Sequence, residues 1–238
     1  MELRNRRFTL ACAAAVLLGL VQGSAIAQGV LGKTVAVDAQ DEYAQIEVEP
    51  SRSAMERLRS PDAQTRFKAA DEVLAQPSRY NPAVLFAMSD TLFERGRPQE
   101  GVFWFAVANT RAVADAQIIT DRTAVPGVVT IRQVFGTRFR EHLKTHPQDE
   151  WPQVSRAIEW DRANPPQYDR RWLALHGIRA VNSALAAQEG KPDGIDEITV
   201  PQAQWAALDE ENRKAMLELS RRRHESAQAA PTPAAGSR

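Results

Sequence analysis

Pro98-Gln-Glu-Gly-Val-Phe-Trp-Phe-Ala-Val-Ala-Asn-Thr-Arg-Ala112 sets Phe103, Trp104 and Phe105 side by side in a chain that is only 7% aromatic. Successive residues of an α-helix are about 100° apart, so three adjacent rings cannot share one face. A run buried on more than one side suits an inner helix sandwiched between neighbours. Gly101, Ala106 and Ala108 are small enough to let those neighbours approach. The rival reading, a platform on which a ligand stacks, needs exposed rings, and large aromatic side chains bury far more often than they stand free.

Upstream, Asn81-Pro82 is a helix start, a capping side chain followed by proline at the first helical position. Val84, Leu85, Met88, Leu92 and Phe93 then lie on one helical face, Gly96 supplies a left-handed cap, and Pro98 restarts a helix at once. The Arg95-Gly96-Arg97 connection is so short that the two helices must fold back antiparallel. Leu85-Phe86-Ala87, Leu92-Phe93, Gly96, Gly101, Trp104, Phe105 and Ala108 together make residues 81–112 resemble one hairpin of the Sel1-like branch of the tetratricopeptide repeats. Ser89 or Asp90 replaces the usual small residue midway along the first helix, and no second copy follows at a step of about 34 to 38 residues. The resemblance implies a helix-hairpin scaffold without a regular solenoid.

Cap, stripe and stop signals recur on both sides of this pair. Ser60-Pro61 opens a stripe of Ala63, Phe67, Ala70, Val73 and Leu74. Val128, Ile131, Val134, Phe135, Phe139 and Leu143 form another, which Pro147 ends. Asp149 precedes Trp151, Val154, Ile158 and Trp160; a helix from about Asp169 carries Trp172, Leu173, His176, Val181 and Leu185; Trp205, Leu208, Met216 and Leu217 make the last. Ahead of Pro50, weak alternation in KTVAVD and YAQIEVE predicts two short strands or an extended arm over residues 28–50. The expected fold is all-α: an irregular array of antiparallel helical hairpins over residues 51–220, with a disordered tail over 221–238 that lacks large apolar side chains.

Residues 1–27 have the three parts of a secretory signal: Arg4, Arg6 and Arg7, an apolar run from Phe8 to Val21, and Ala25-Ile26-Ala27 before the cleavage point. They predict export to the bacterial periplasm and, after cleavage, no membrane insertion. Cys12 is the only cysteine, so the mature chain would have no disulfide, thiolate nucleophile or sulfur ligand. It would carry 27 basic and 29 acidic groups, since the signal removes three Arg and one Glu from 30 of each. Without a basic excess, nucleic acid is not the expected partner.

Chemistry-bearing patterns are few. His142 and His146 stand four apart, a metal-binding spacing on a helix, with Asp149 or Glu150 as a third ligand. Glu141 lies outside the pair, Lys144 adds positive charge and Pro147 frays the turn, so solvated helix-end histidines are the favoured reading. No G-x-S-x-G elbow or glycine-rich phosphate loop occurs. Around the Pro165-Pro166 corner, Trp160, Tyr168, Arg170 and Arg171 have the composition of a protein-binding hot spot, whereas Trp172 and His176 read as core and buttress of one helix and Asp169 as its cap. The expectation is a non-catalytic module, without cofactor or metal, whose partner is another protein, possible roles including immunity against a periplasm-directed toxin. The rival expectations are an envelope-acting hydrolase or metal enzyme, and an adaptor of envelope assembly.

Overall fold

The computed structural model describes residues 24–28, 34–39, 41–190 and 197–229. Most of the expected export signal, and residues 230–238 of the expected tail, lie outside these. The body is all-α. Its helices are α1 (Asp41–Ala44), α2 (Glu49–Leu58), α3 (Ala63–Ala75), α4 (Pro82–Glu94), α5 (Pro98–Ile118), α6 (Pro126–Phe135), α7 (Thr137–Thr145), α8 (Glu150–Ala163), α9 (Ile178–Gln188) and α10 (Trp205–Ala229). A hairpin of β1 (Ser24–Gln28) and β2 (Thr34–Asp38) pairs antiparallel ahead of them. β1 falls almost wholly within the expected signal, which would leave only Gln28 of it after cleavage.

The α4–α5 hairpin is the centre. Asn81 accepts a hydrogen bond from the Val84 amide, and Pro82 follows as the first helical residue. At the other end the Arg97 amide reaches the Leu92 carbonyl at 2.9 Å and the Gly96 amide the Phe93 carbonyl at 3.1 Å, a double closure that needs Gly96 at φ +70°. Ser89 Oγ donates to the Gly101 carbonyl at 2.8 Å, and the Phe86 and Phe105 rings meet edge to face at 4.9 Å. Residue numbers rise on one helix as their partners fall on the other, so the pair is antiparallel. The hydroxyl at position 89 is thus spent on the α5 backbone, which is how a polar residue sits fully buried at the crossing. All residues of α4 from Pro82 to Ser89 are buried, as expected of an inner helix.

α2 and α3 cover one side of α4, α6 and α7 pack across one end of the hairpin, and α8 and α10 cover α5. Ser51 of α2 accepts the Asn81 amide at 3.0 Å, and Arg138 of α7 pairs with Asp90 of α4 at 2.5 Å. After the segment 191–196, the Thr120 amide bonds the Ile198 carbonyl and the Val200 amide the Ile118 carbonyl, tying the chain to the end of α5 before α10 begins.

Four local expectations change. The strand read in YAQIEVE is not formed: α1 ends at Ala44, residues 45–48 are a turn and an irregular link to α2, and Tyr43 and Ile46 are both buried in the core. α3 is capped by Asp62, which accepts from Thr65 N at 2.7 Å, and not by Ser60, whose Oγ accepts the Asp62 amide. The stripe from Val128 to Leu143 is two helices, α6 ending and α7 starting on either side of Gly136, where an ideal Cβ would lie 2.3 Å from the Arg132 carbonyl. α10 continues past Arg221 to Ala229, into the stretch expected to be disordered. Arg221 pairs with Glu218 and Glu225, and Arg222 with Glu218, at helical spacing.

Candidate functional site

Asp115, near the C-terminal end of α5, is fully buried; it and Arg111 are the buried charged side chains of that helix. Residues beyond the Pro165-Pro166 corner bring three donors to it. Asp169 accepts the Arg171 amide at 2.9 Å and starts a 3₁₀ turn over Arg170–His176. From this segment the Tyr168 hydroxyl and the Trp172 indole N–H reach Asp115 Oδ2 at 2.7 and 2.8 Å, and Arg170 Nε reaches Oδ1 at 2.7 Å. The other edge of the Arg170 guanidinium donates to both oxygens of Asp209 on α10, at 3.0 and 2.7 Å, and the group lies over the Trp205 ring.

Burial raises the Asp115 carboxyl above its ordinary value, against the opposing pull of Arg170, Trp172 and Tyr168; the three groups bonded to it are all donors, the set a carboxylate accepts from. Burial also opposes the Arg170 charge, but Asp115 and Asp209 more than offset this and hold the guanidinium above its ordinary range. Desolvation and the adjacent Asp115 charge push the Tyr168 phenol well upward, so it remains a donor.

A second node lies beside the first. Arg111 Nε donates to Asp161 Oδ1 at 2.7 Å, Arg213 of α10 donates to Oδ2 at 2.9 Å, and Asn212 Nδ2 bonds the Thr110 carbonyl at 2.7 Å. Arg111 Nη2 donates to the Asn164 carbonyl, and its guanidinium stands over the Trp160 ring at 5.1 Å. A cavity of about 10 Å³, room for roughly one water, separates the nodes. Each carboxylate oxygen of Asp115 and Asp161 already accepts from at least one donor, so neither is poised as a general base. Together they clamp α5, α8, the 168–176 segment and α10.

The four residues expected to form a partner-binding surface are therefore divided. Tyr168 and Arg170 belong to the clamp; the Arg170 side chain is only 10% exposed, which corrects its reading as a surface arginine. Arg171 is partly exposed and paired with Asp169 and Glu42. Trp160 is half-buried and belongs to an aromatic face with the opening stretch: its ring meets Trp104 at 5.0 Å and Phe103 at 6.3 Å, and exposed Arg156 lies over Phe103. Phe105 points the other way, stacked on Phe139 at 3.9 Å. The carboxylates Asp115, Asp161 and Asp209 were not singled out from the sequence. A signal for Asp115 existed, since it is the sole acidic residue between Glu100 and Asp121.

His142 Nε2 bonds Asp149 Oδ2 at 2.7 Å, and its ring is stacked on His146 with planes 5° apart, so the two imidazoles do not aim at one point. Among the described residues no group of three or more His, Cys, Asp or Glu is placed to hold a metal ion. No described helix is long and apolar enough to cross a membrane. Comparison with family models, curated proteins and solved structures yields no match.

Proposed function

We propose that the chain is an exported, non-catalytic protein-binding module of the bacterial periplasm and, more sharply, an antidote that occludes a toxin delivered there. The observation that supports this is the face formed by Phe103, Trp160 and Arg156. Two half-buried rings and an exposed guanidinium are presented on α5 and α8, helices held rigid by the clamp beneath them. Aromatic and arginine side chains on a preorganised surface are the composition of binding hot spots, and rigidity lowers the ordering cost of association. The periplasmic address rests on the sequence of residues 1–27.

A photo-crosslinking residue at position 103, and another at Lys68 on α3, tests the reading in cells that export the protein. A discrete protein adduct from position 103 alone, lost on Trp160→Ala, is expected, together with a mature N-terminus at Gln28 in the periplasmic fraction. Equal labelling from both positions, or an unprocessed cytoplasmic chain, overturns it.

A further inference from the structure

The bond at which the expected signal would be cut, Ala27–Gln28, does not lie in a loop. It lies inside β1, where Ala27 stands opposite Val35 of β2 and Gln28 opposite Thr34. The hairpin is in turn seated on the body: β1 lies against α9 and the 170–176 turn, and β2 against α9. From Asp38, the last residue of β2, the chain passes at once to Ala39, which packs on the core, and then to the buried Tyr43. A protease must draw the backbone on both sides of a bond out of its present partners, which is why nicking concentrates at exposed loop tips. In a paired and seated strand it acts only on an opened form, and where reclosing is fast the rate follows the population of that form.

The length of chain ahead of β1 adds an independent constraint. The apolar run ends at Val21 and β1 begins at Ser24, so only Gln22 and Gly23 separate them. Two residues reach about 7 Å at full extension, about the depth of one interfacial layer of a bilayer. With the run in the hydrocarbon core and β1 seated, the folded body is drawn against the headgroups. No free length then remains for a membrane-bound peptidase to engage.

We propose that this chain is processed before it folds: the folded precursor withholds Ala27–Gln28, and export delivers the chain to the peptidase unfolded. This rests on the export reading and gives it an order, in which threading and cleavage precede closure of the body. Cleavage is a hydrolysis; water supplies the hydroxyl of the new Ala27 carboxyl group and a proton to the Gln28 amine. Four of the five residues of β1, Ser24 to Ala27, leave with the signal. The hairpin cannot re-form, and the step runs one way.

The probe is purified bacterial signal peptidase in detergent micelles, given the full chain either folded or diluted from urea at the moment of mixing. Circular dichroism in the same micelles verifies the folded state, and mass spectrometry reads the product that begins at Gln28. The folded chain is expected to be cut at least about tenfold more slowly than the chain taken from urea. Val35→Pro removes a backbone amide from the strand opposite the bond. It is expected to bring the folded chain close to the unfolded rate with an unchanged urea midpoint. Should that variant not fold, hydrogen exchange reads the same closure: amides of residues 34–38 exchange at least about tenfold more slowly in the full chain than in the chain beginning at Gln28. Equal cutting of folded and unfolded chains, a folded Val35→Pro chain that stays resistant, or equal exchange of 34–38 in both chains would overturn the proposal. Failure of the unfolded chain to yield a product beginning at Gln28 would instead remove the export reading, which the N-terminus found in cells tests separately.

Discussion

Asp115 and Arg170 meet at 2.7 Å with their side chains 0% and 10% exposed, although 55 residues separate them in the chain. The pair joins the longest inner helix to the segment beyond the Pro165-Pro166 corner, and through Asp209 to α10. Removing one partner leaves a buried charge uncompensated, which costs about 3–5 kcal/mol. Asp115→Ala and Arg170→Ala are therefore each expected to lower the urea midpoint strongly, and the double variant to lose less than the sum of the two. Arg171→Ala, which removes a partly exposed pair, is expected to cost about 0–1 kcal/mol. Near-native stability of Asp115→Ala would show that the node is not structural.

What the sequence made legible follows from the range of the physics involved. The Asn81 cap, Pro82, the Gly96 closure and the fold-back of α4 on α5 are decided within a few residues, and the pattern contains them. Asp115 needs Tyr168, Arg170 and Trp172, brought to it by a corner whose direction no local rule fixes. Composition drew attention to Trp160, Tyr168, Arg170 and Arg171 but could not say which faced inward. The helical end of α10 was missed for a different reason: lack of apolar residues was read as disorder, while Glu218, Arg221, Arg222 and Glu225 already stood at pairing distance along a helix.

His176 gives the stability a pH dependence of defined sign. Burial lowers its pKa from 6.5 to about 4. The folded chain keeps the ring neutral while the unfolded chain takes up a proton first as pH falls. Stability from this group is thus unchanged above about pH 7 and declines from about pH 6.5 towards 4. Between pH 7 and pH 5 the loss is at most about 2 kcal/mol, and smaller in practice because the ring retains some solvent contact. Urea midpoints at these two pH values should differ more for the native chain than for His176→Gln. An equal difference would place the pH response elsewhere.

Metal removal is expected to leave the fold unaffected. Stacking of the His142 and His146 rings and the bond from His142 to Asp149 use the groups a metal would need. A bound structural ion would link its binding free energy to folding, and a chelator would then lower the melting temperature. Melting with and without EDTA, and with added zinc, should coincide within error; a clear fall with EDTA revives the metal-enzyme alternative.

The aromatic run on α5 divides into residues that hold the fold and one that faces outward, and substitution should separate them. Trp104 is 7% exposed, in edge contact with Trp160 and Phe103, so Trp104→Ala opens a cavity at the α5–α8 contact. Its expected cost is about 3–5 kcal/mol, a large part of a typical domain's 5–15. Phe105, 8% exposed and stacked on Phe139, should behave alike because its loss loosens α7 from α5. Phe103 is half-buried under Arg156, and Phe103→Ala forfeits only the covered part of its ring, about 1–2 kcal/mol by area. Urea unfolding followed by circular dichroism ranks the three, and the partner adduct then supplies the contrast. Phe103→Ala should weaken crosslinking from position 156 in a chain that remains folded. A Phe103→Ala protein as destabilised as Trp104→Ala would mean that all three rings are core, and would remove the surface on which partner recognition rests.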